Sequence, residues 1–459
     1  MKTVTKSHTI RTPRRKNPEP DNGIGGMWRR ELQKHKALTI VALIALVVQT
    51  GMLVLALFEP SLPYKIENPA ALDIQSDQFL RSLSTLTGGY LRPNNTVEVL
   101  ANGENFYEAE LAAIRSAKRL VHVECYIFHQ GEVTKRFMDA LIERASAGVE
   151  VKLLVDAIGS TRFLDSSLEP LRKAGGRAAW YHPLRWYSWP RLNNRSHREL
   201  IVVDGSTGFI GGAGFADQWL LDSDGKRRWR DTMVRVDGEA VNGLEATFAE
   251  NWLESAGDIL IGPRYFNDKS SAPGKTMALV VGSSPTTGRS TPARILVQSL
   301  VAASRKQIHI TSPYFLPDRS LIAELAKAIR GRHVEVKILV PGKKNDHLMT
   351  RRSSRRLYGD LLDAGARIFE YRPTMLHAKI LIVDGVWSVV GSTNMDSRSF
   401  GLNDEVNMAF LDPAVASRLE QDFQNDLGES AEVGYEEWKQ RPWYEKVHEW
   451  AGALIERQQ

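Results

Sequence analysis

The chain has 459 residues, 42% hydrophobic and 25% charged, which is room for two or three domains and an ordinary apolar core. Cys125 is the only cysteine, which excludes an intramolecular disulfide and a cysteine-based zinc site. The net charge of +6 favours anionic partners, phospholipid headgroups or nucleic acid, without choosing between them.

Residues 1–36 mix basic residues with Pro13, Pro18, Pro20, Gly23, Gly25 and Gly26, the composition of a disordered tail. Residues 37–58 then run for 22 residues without a charge. As a helix this run spans about 33 Å, one bilayer core, and it is predicted to be a transmembrane helix. A cleaved signal peptide is the alternative, but its apolar region is usually shorter, about 7–15 residues. Ten Lys and Arg residues precede the run, and Lys65 alone follows within twenty. The positive-inside rule therefore predicts a cytosolic N-terminus and an extracytoplasmic catalytic part, single-pass in the cell membrane.

The rest of the chain repeats itself. VHVECYIF (121–128) matches IHITSPYF (308–315), and GVEVKLLVD (148–156) matches HVEVKILVP (333–341). LRKAGGRAAWYHP (171–183) matches LLDAGARIFEYRP (361–373), and HRELIVVDGSTGFIGG (197–212) matches HAKILIVDGVWSVVGS (377–392). The order is the same in both copies. Short β-branched runs alternate with amphipathic stretches such as TKRFMDALIERASAG, which predicts an α/β fold with a mostly parallel sheet covered by helices. The halves are placed at 95–260 and 276–428, joined by a Gly/Pro/Ser-rich linker at 261–275. The tail 429–459 carries Trp438, Trp443, Tyr444, Val447, Trp450, Ala451 and Leu454 at near-helical spacing. It reads as an amphipathic C-terminal helix, lying on a membrane or packed on the body.

The second half contains His377-Ala-Lys379 with Asp384 five residues beyond the lysine. On a strand, His377 and Lys379 share a face; Asp384 lies on the other and, before Gly385, closes a turn. Gly391, Ser392, Asn394 and Glu405 follow. This pattern resembles the His-x-Lys-x4-Asp signature of the phospholipase D superfamily, with its following Gly-Ser-x-Asn. The resemblance covers about residues 95–428; with the N-terminal anchor it points to bacterial cardiolipin synthases. It implies two phospholipase-D-like halves related by a pseudo-twofold axis.

The first half departs from the pattern. It reads His197-Arg-Glu199 with Asp204, and Gly214 stands where the asparagine belongs. A carboxylate repels a phosphodiester unless it is protonated or paired. Lys379 across the site, or a nearby arginine such as Arg195, are the candidate partners of Glu199.

The resemblance implies that one histidine attacks the phosphodiester, giving a phosphohistidine, while the other protonates the leaving alcohol. In relatives the first-motif histidine is often the nucleophile, a role this carries to His197. The implied catalytic set is His197, His377, Lys379, Asp204, Asp384 and Glu405. Glu199, Ser392, Asn394 and Asp231 are placed against the substrate. By the same resemblance Glu405 orients His377, and Asp231 takes the comparable place after His197. No metal or organic cofactor is implied.

The loop 183–195 mixes Arg with aromatic residues, suited to an anionic bilayer or to stacked bases. Basic clusters at Lys343–Lys344 and Arg351–Arg356 fit phosphate attraction or a solvated face. The expected activity is phosphatidyl transfer, two phosphatidylglycerols giving cardiolipin and glycerol. The expected partners are phospholipid and membrane, the anchor arguing against nucleic acid. The alternatives are a phospholipase D or nuclease, and a catalytically impaired lipid-binding homologue.

Overall fold

The structure, a computed structural model, describes residues 36–58, 64–67, 73–183, 193–226, 228–266, 274–285 and 291–443. The chain divides into two units, residues 1–61 and 62–459. In the first, Lys36–Phe58 forms a helix of 23 residues. Leu38, Ile40, Val41, Leu43, Ile44 and Val47 on it are exposed. Among the described residues no helix is long and apolar enough to cross a membrane; in this helix the side chains are described only at 36 and over 38–52. The expected tail 1–35 lies outside the described residues.

Among the described residues the second unit has 17 strands. The first half supplies β1 (Tyr90–Ala101), β2 (Leu120–Cys125), β3 (Glu150–Asp156), β4 (Arg177–Tyr181), β5 (Leu200–Val203), β6 (Thr207–Gly211), β7 (Trp229–Arg230) and β8 (Thr232–Asp237). The second half supplies β9 (Thr276–Ser283), β10 (Gln307–Thr311), β11 (Glu335–Pro341), β12 (Arg367–Tyr371), β13 (Met375–Leu376), β14 (Ile380–Val383), β15 (Trp387–Gly391) and β16 (Glu405–Leu411), and β17 (Ser430–Glu432) follows. Fifteen of these form one sheet, ordered β17-β12-β11-β10-β14-β15-β16-β9-β1-β8-β6-β5-β2-β3-β4. Read outward from the central β9–β1 pair, the two sides have the same order. The repeat in the sequence is thus a repeat in the fold, with the halves joined edge to edge.

The expected mostly parallel sheet is corrected to a mixed one. Within the fifteen-stranded sheet, β2-β3-β4 and β10-β11-β12 run parallel. The strands between them pair antiparallel because β5–β6 and β14–β15 are hairpins. Their turns place Asp204 and Gly205 at φ +51° and +61°, and Asp384 and Gly385 at +55° and +67°. Left-handed backbone at both positions is what an Asp-Gly hairpin turn supplies.

Each half has its own apolar layer. One gathers Phe106, Leu111, Val123, Phe137, Leu153 and Ile201; the other gathers Leu296, Leu300, Ile310, Leu325, Ile338 and Leu381. A third layer crosses the seam, with Val202, Ile210 and Val234 of the first half beside Ile380, Met408 and Phe410 of the second. Helices 241–256 and 413–428 contribute Phe248, Trp252 and Leu419 to it. The short helix Asp77–Thr87, capped by the Ser76 side chain, packs Phe79, Leu80 and Leu83 into the layer of the second half.

Of the expected C-terminal helix 429–459, the described residues form β17 at 430–432 on the sheet edge and a helix at Tyr435–Lys439. Its Trp438 Nε1 donates to the Arg355 carbonyl at 2.6 Å, so this part packs on the body. Residues 444–459, most of the loop 183–195 and the middle of the 261–275 linker lie outside the described residues.

Candidate active site

The seam brings the two motifs together by exchanging their neighbours. Ahead of β5, the His197 N–H donates to the Asp404 carbonyl at 2.8 Å, and the Asp404 N–H donates to the Arg195 carbonyl at 2.8 Å. Ahead of β14, the His377 N–H donates to the Arg230 carbonyl at 2.7 Å, where β13 and β7 run parallel. Each motif histidine is therefore pinned beside the residue that precedes a carboxylate of the other half.

The side chains follow the backbone. His377 Nδ1 lies 2.9 Å from Asp231 Oδ2, and His197 Nδ1 lies 3.1 Å from both oxygens of Glu405. The expected pairing of Glu405 with His377 is thus corrected: the carboxylates are crossed between halves. Asp231 is corrected from a substrate contact to the partner of His377. A carboxylate accepts, so each Nδ1 carries a proton, which leaves Nε2 as a lone pair in the neutral ring and as a second donor in the imidazolium.

Both carboxylates are themselves held. Asp231 accepts from Trp219 Nε1 at 3.1 Å and from the Thr232 N–H at 2.8 Å. Glu405 accepts from the Ser392 hydroxyl and from Asn403 Nδ2 at 3.4 Å. Ser392, expected against the substrate, donates to Glu405 and accepts from the Val406 N–H at 3.1 Å. Asn394 is buried, and its Oδ1 has no hydrogen-bond partner among the described residues.

Lys379 Nζ donates to the His377 carbonyl at 2.8 Å and sits 3.1 Å from His377 Nε2. Burial and then the Lys379 ammonium lower the proton affinity of His377. Burial lowers that of Lys379 as well, against the pull of Asp231, Glu405 and Glu199. Burial alone would raise Asp231, but the hydrogen bond and charge of His377, with Lys379 and the Thr232 N–H, hold it below the usual range.

Glu199 pairs with neither expected cation. Its Oε1 accepts from the N–H groups of Tyr126 and Ile127, both at 3.2 Å, and its Oε2 is buried without a partner among the described residues. Arg195 instead donates to the His182 carbonyl at 3.2 and 3.1 Å and lies 3.7 Å from Asp156.

Asp204 and Asp384, expected in the catalytic set, accept from backbone N–H groups. Asp204 accepts from the N–H groups of Lys118, Arg119 and Leu120; Asp384 accepts from those of Arg305, Lys306 and Gln307. Each carboxylate fastens its hairpin turn to the start of the neighbouring strand, at the far end from the histidine.

Aromatic residues that the sequence reading passed over wall the site. Tyr126 stands edge-on to His197 at 5.2 Å, and Trp229, Trp219 and Tyr314 surround His377 at 5.1, 5.6 and 6.3 Å. Their signal was positional: Tyr126 directly follows β2, Tyr314 lies three residues after β10, and Trp229 lies two residues before Asp231. A groove of about 770 Å³ adjoins this side, lined by Lys226, Arg228, Trp229, Lys344, Asp346 and Met375. Among the described residues no three His, Cys, Asp or Glu side chains are grouped to hold a metal ion.

The chemistry available is nucleophilic and acid–base attack on a phosphodiester, with a cation beside it. Comparison with known proteins agrees. The family model described as "Cardiolipin synthase, PLD-like domain" matches residues 111–252 and again 296–427, one match per half. A cardiolipin synthase of Staphylococcus aureus is 32% identical over 385 residues, covering 83% of this chain and 77% of that protein. A cardiolipin synthase 2 of Bacillus cereus is 33% identical over 352 residues, covering 76% and 68%. Among solved structures, a phosphatidylserine synthase of Haemophilus influenzae superposes with a TM-score of 0.62 at 16% identity, covering 84% of this chain and all of that one. The fold and site define a two-domain enzyme of the phospholipase D superfamily, a phosphatidyltransferase or phosphodiesterase. Within it, the chain belongs to the cardiolipin synthase family.

Proposed function

We propose that this enzyme transfers a phosphatidyl group between a phospholipid and an alcohol, making cardiolipin and glycerol from two phosphatidylglycerols through a phosphohistidine. The observation that carries the reading is the pair of crossed His–carboxylate dyads, His377–Asp231 and His197–Glu405. Two oriented imidazoles are what a two-step displacement at phosphorus requires, one to attack and one to move protons.

His377 is the better attacking group, because burial and Lys379 keep its ring neutral. Its Nε2 forms a bond to phosphorus as the bond from phosphorus to the glycerol oxygen breaks. His197, the more open of the two, enters as the imidazolium and gives its Nε2 proton to that oxygen, and glycerol leaves. A headgroup hydroxyl of the second phosphatidylglycerol then loses its proton to His197 and attacks phosphorus, and the bond to Nε2 breaks. Lys379 offsets charge on the phosphoryl oxygens. This order departs from the role that the resemblance carries to His197.

Membrane anchoring is part of the proposal. The charge-free run 37–58, its helical backbone and the exposure of its described apolar side chains support an anchor. The basic flank supports a cytosolic N-terminus and an external catalytic unit. A cytosol-dependent reporter fused after Gln459 is then silent; strong activity overturns that orientation.

The main test is incubation with phosphatidylglycerol vesicles and mass spectrometry of the lipids. Cardiolipin with equimolar glycerol supports transfer, and phosphatidic acid alone supports the hydrolase reading. Lipid binding without turnover supports the impaired homologue, which the completeness of both dyads disfavours.

A further inference from the structure

Glu199 and Gly214 depart from the motif together, and they touch. A Cβ at position 214 would lie 2.8 Å from Glu199 Oε1 and 2.6 Å from the Ile127 carbonyl oxygen. The asparagine found at the matching position of the other half, Asn394, has no room here. Tyr107, in helix 103–116, locks this backbone by donating to the Gly214 carbonyl at 2.5 Å. Glu199 itself shares the strand face of His197 and is 4% exposed.

Its hydrogen bonding is half complete. Oε1 takes two backbone N–H groups, while Oε2 is buried with no partner among the described residues. Glu199 forms no ion pair among them; the Lys379 ammonium donates to the His377 carbonyl. An unpaired carboxylate in this position is costly, whereas a proton on Oε2 leaves a neutral acid with one free donor. That donor needs an acceptor, and a phosphoryl oxygen is the acceptor this site is built to receive.

We propose that Glu199 acts as a neutral acid in catalysis, its Oε2–H donating to a phosphoryl oxygen where the family motif has a lysine, with Gly214 as the companion change that makes room for it. The inference rests on the phosphodiester chemistry proposed above. It makes the first motif a working variant, in which one cation and one neutral donor share the phosphoryl group. Burial pushes the Glu199 carboxyl well above its ordinary range, against the two backbone N–H groups and Lys379; Asp231 pushes the same way as burial. The other titratable groups facing it are Tyr107, and Cys125 and Tyr126 at the end of β2.

The test compares pH–rate profiles of the full chain on phosphatidylglycerol vesicles. The unaltered enzyme loses activity as Glu199 ionises, giving an alkaline limb. Glu199→Gln keeps a neutral donor, so it retains turnover within about tenfold and loses the Glu199 limb, leaving those of His197, whose proton leaves with glycerol, and of Lys379. Glu199→Ala removes the donor and falls by about 10²-fold or more. An unchanged alkaline limb in Glu199→Gln, or Glu199→Gln as inactive as Glu199→Ala, overturns the proposal. If the vesicles yield phosphatidic acid, the transfer reading fails while this comparison runs unchanged on the hydrolytic rate. A readout independent of turnover is infrared difference spectroscopy of unaltered enzyme against Glu199→Gln at neutral pH. A protonated-carboxyl band that shifts when the vesicles are added supports the proposal, and its absence refutes it.

Discussion

His377 Nδ1 is held by Asp231 Oδ2 at 2.9 Å, although the two residues are 146 positions apart and belong to different halves. The same exchange binds His197 to Glu405, 208 positions away. Neither half holds a complete His–carboxylate dyad, so on the proposed mechanism both halves, joined at the β1–β9 pairing, are needed for turnover.

Asp231→Asn is expected to lower turnover by about 10²–10⁴-fold, because an amide no longer enforces the Nδ1–H tautomer of His377. Glu405→Gln should act likewise on His197. Crossing makes a sharper check possible by imidazole NMR. Asp231→Asn should perturb the ring signals of His377 and spare those of His197; the reverse pattern would refute the exchange.

The acid limb of kcat/KM should lie below pH ~6.5, the ordinary histidine value. Attack needs neutral His377, so the rate falls as pH drops through its pKa. Burial and Lys379 lower that pKa, so activity persists to lower pH. Lys379→Met removes the cation. It should raise the His377 pKa, move the acid limb upward and reduce the maximum rate. An acid limb that stays in place in this variant argues against the contact.

Asp384→Ala should cost stability, not chemistry. It removes acceptors for N–H groups at 2.8, 2.7 and 3.0 Å and puts alanine at φ +55°. The expected loss is about 1–3 kcal/mol by denaturant unfolding, with turnover of the folded fraction within severalfold. A loss of 10³-fold at unchanged stability would return Asp384 to the catalytic set.

The site was partly legible in the sequence. The repeat revealed the two halves, and strand alternation already separated His377 and Lys379 from Asp384. Asp231 and Glu405 were each expected beside the histidine of their own half and lie beside that of the other, because the exchange depends on strand order across the seam, which matching one half to the other does not encode. The mixed sheet was visible in the two Asp-Gly turns, but βαβ alternation was weighted above them. Glu199 was expected to seek a cation; its actual partners are backbone N–H groups of Tyr126 and Ile127, which no residue-type argument reveals.

The most direct measurement is to trap the covalent intermediate. Phosphatidylglycerol labelled with ³²P is mixed with the enzyme, quenched in alkali, where phosphohistidine survives, and digested for peptide mapping. The label is expected on the peptide containing His377, and it should be absent from His377→Ala. A label on the His197 peptide would reverse the order of the two histidines. Rapid cardiolipin formation with no labelled histidine at any time would contradict the two-histidine mechanism itself.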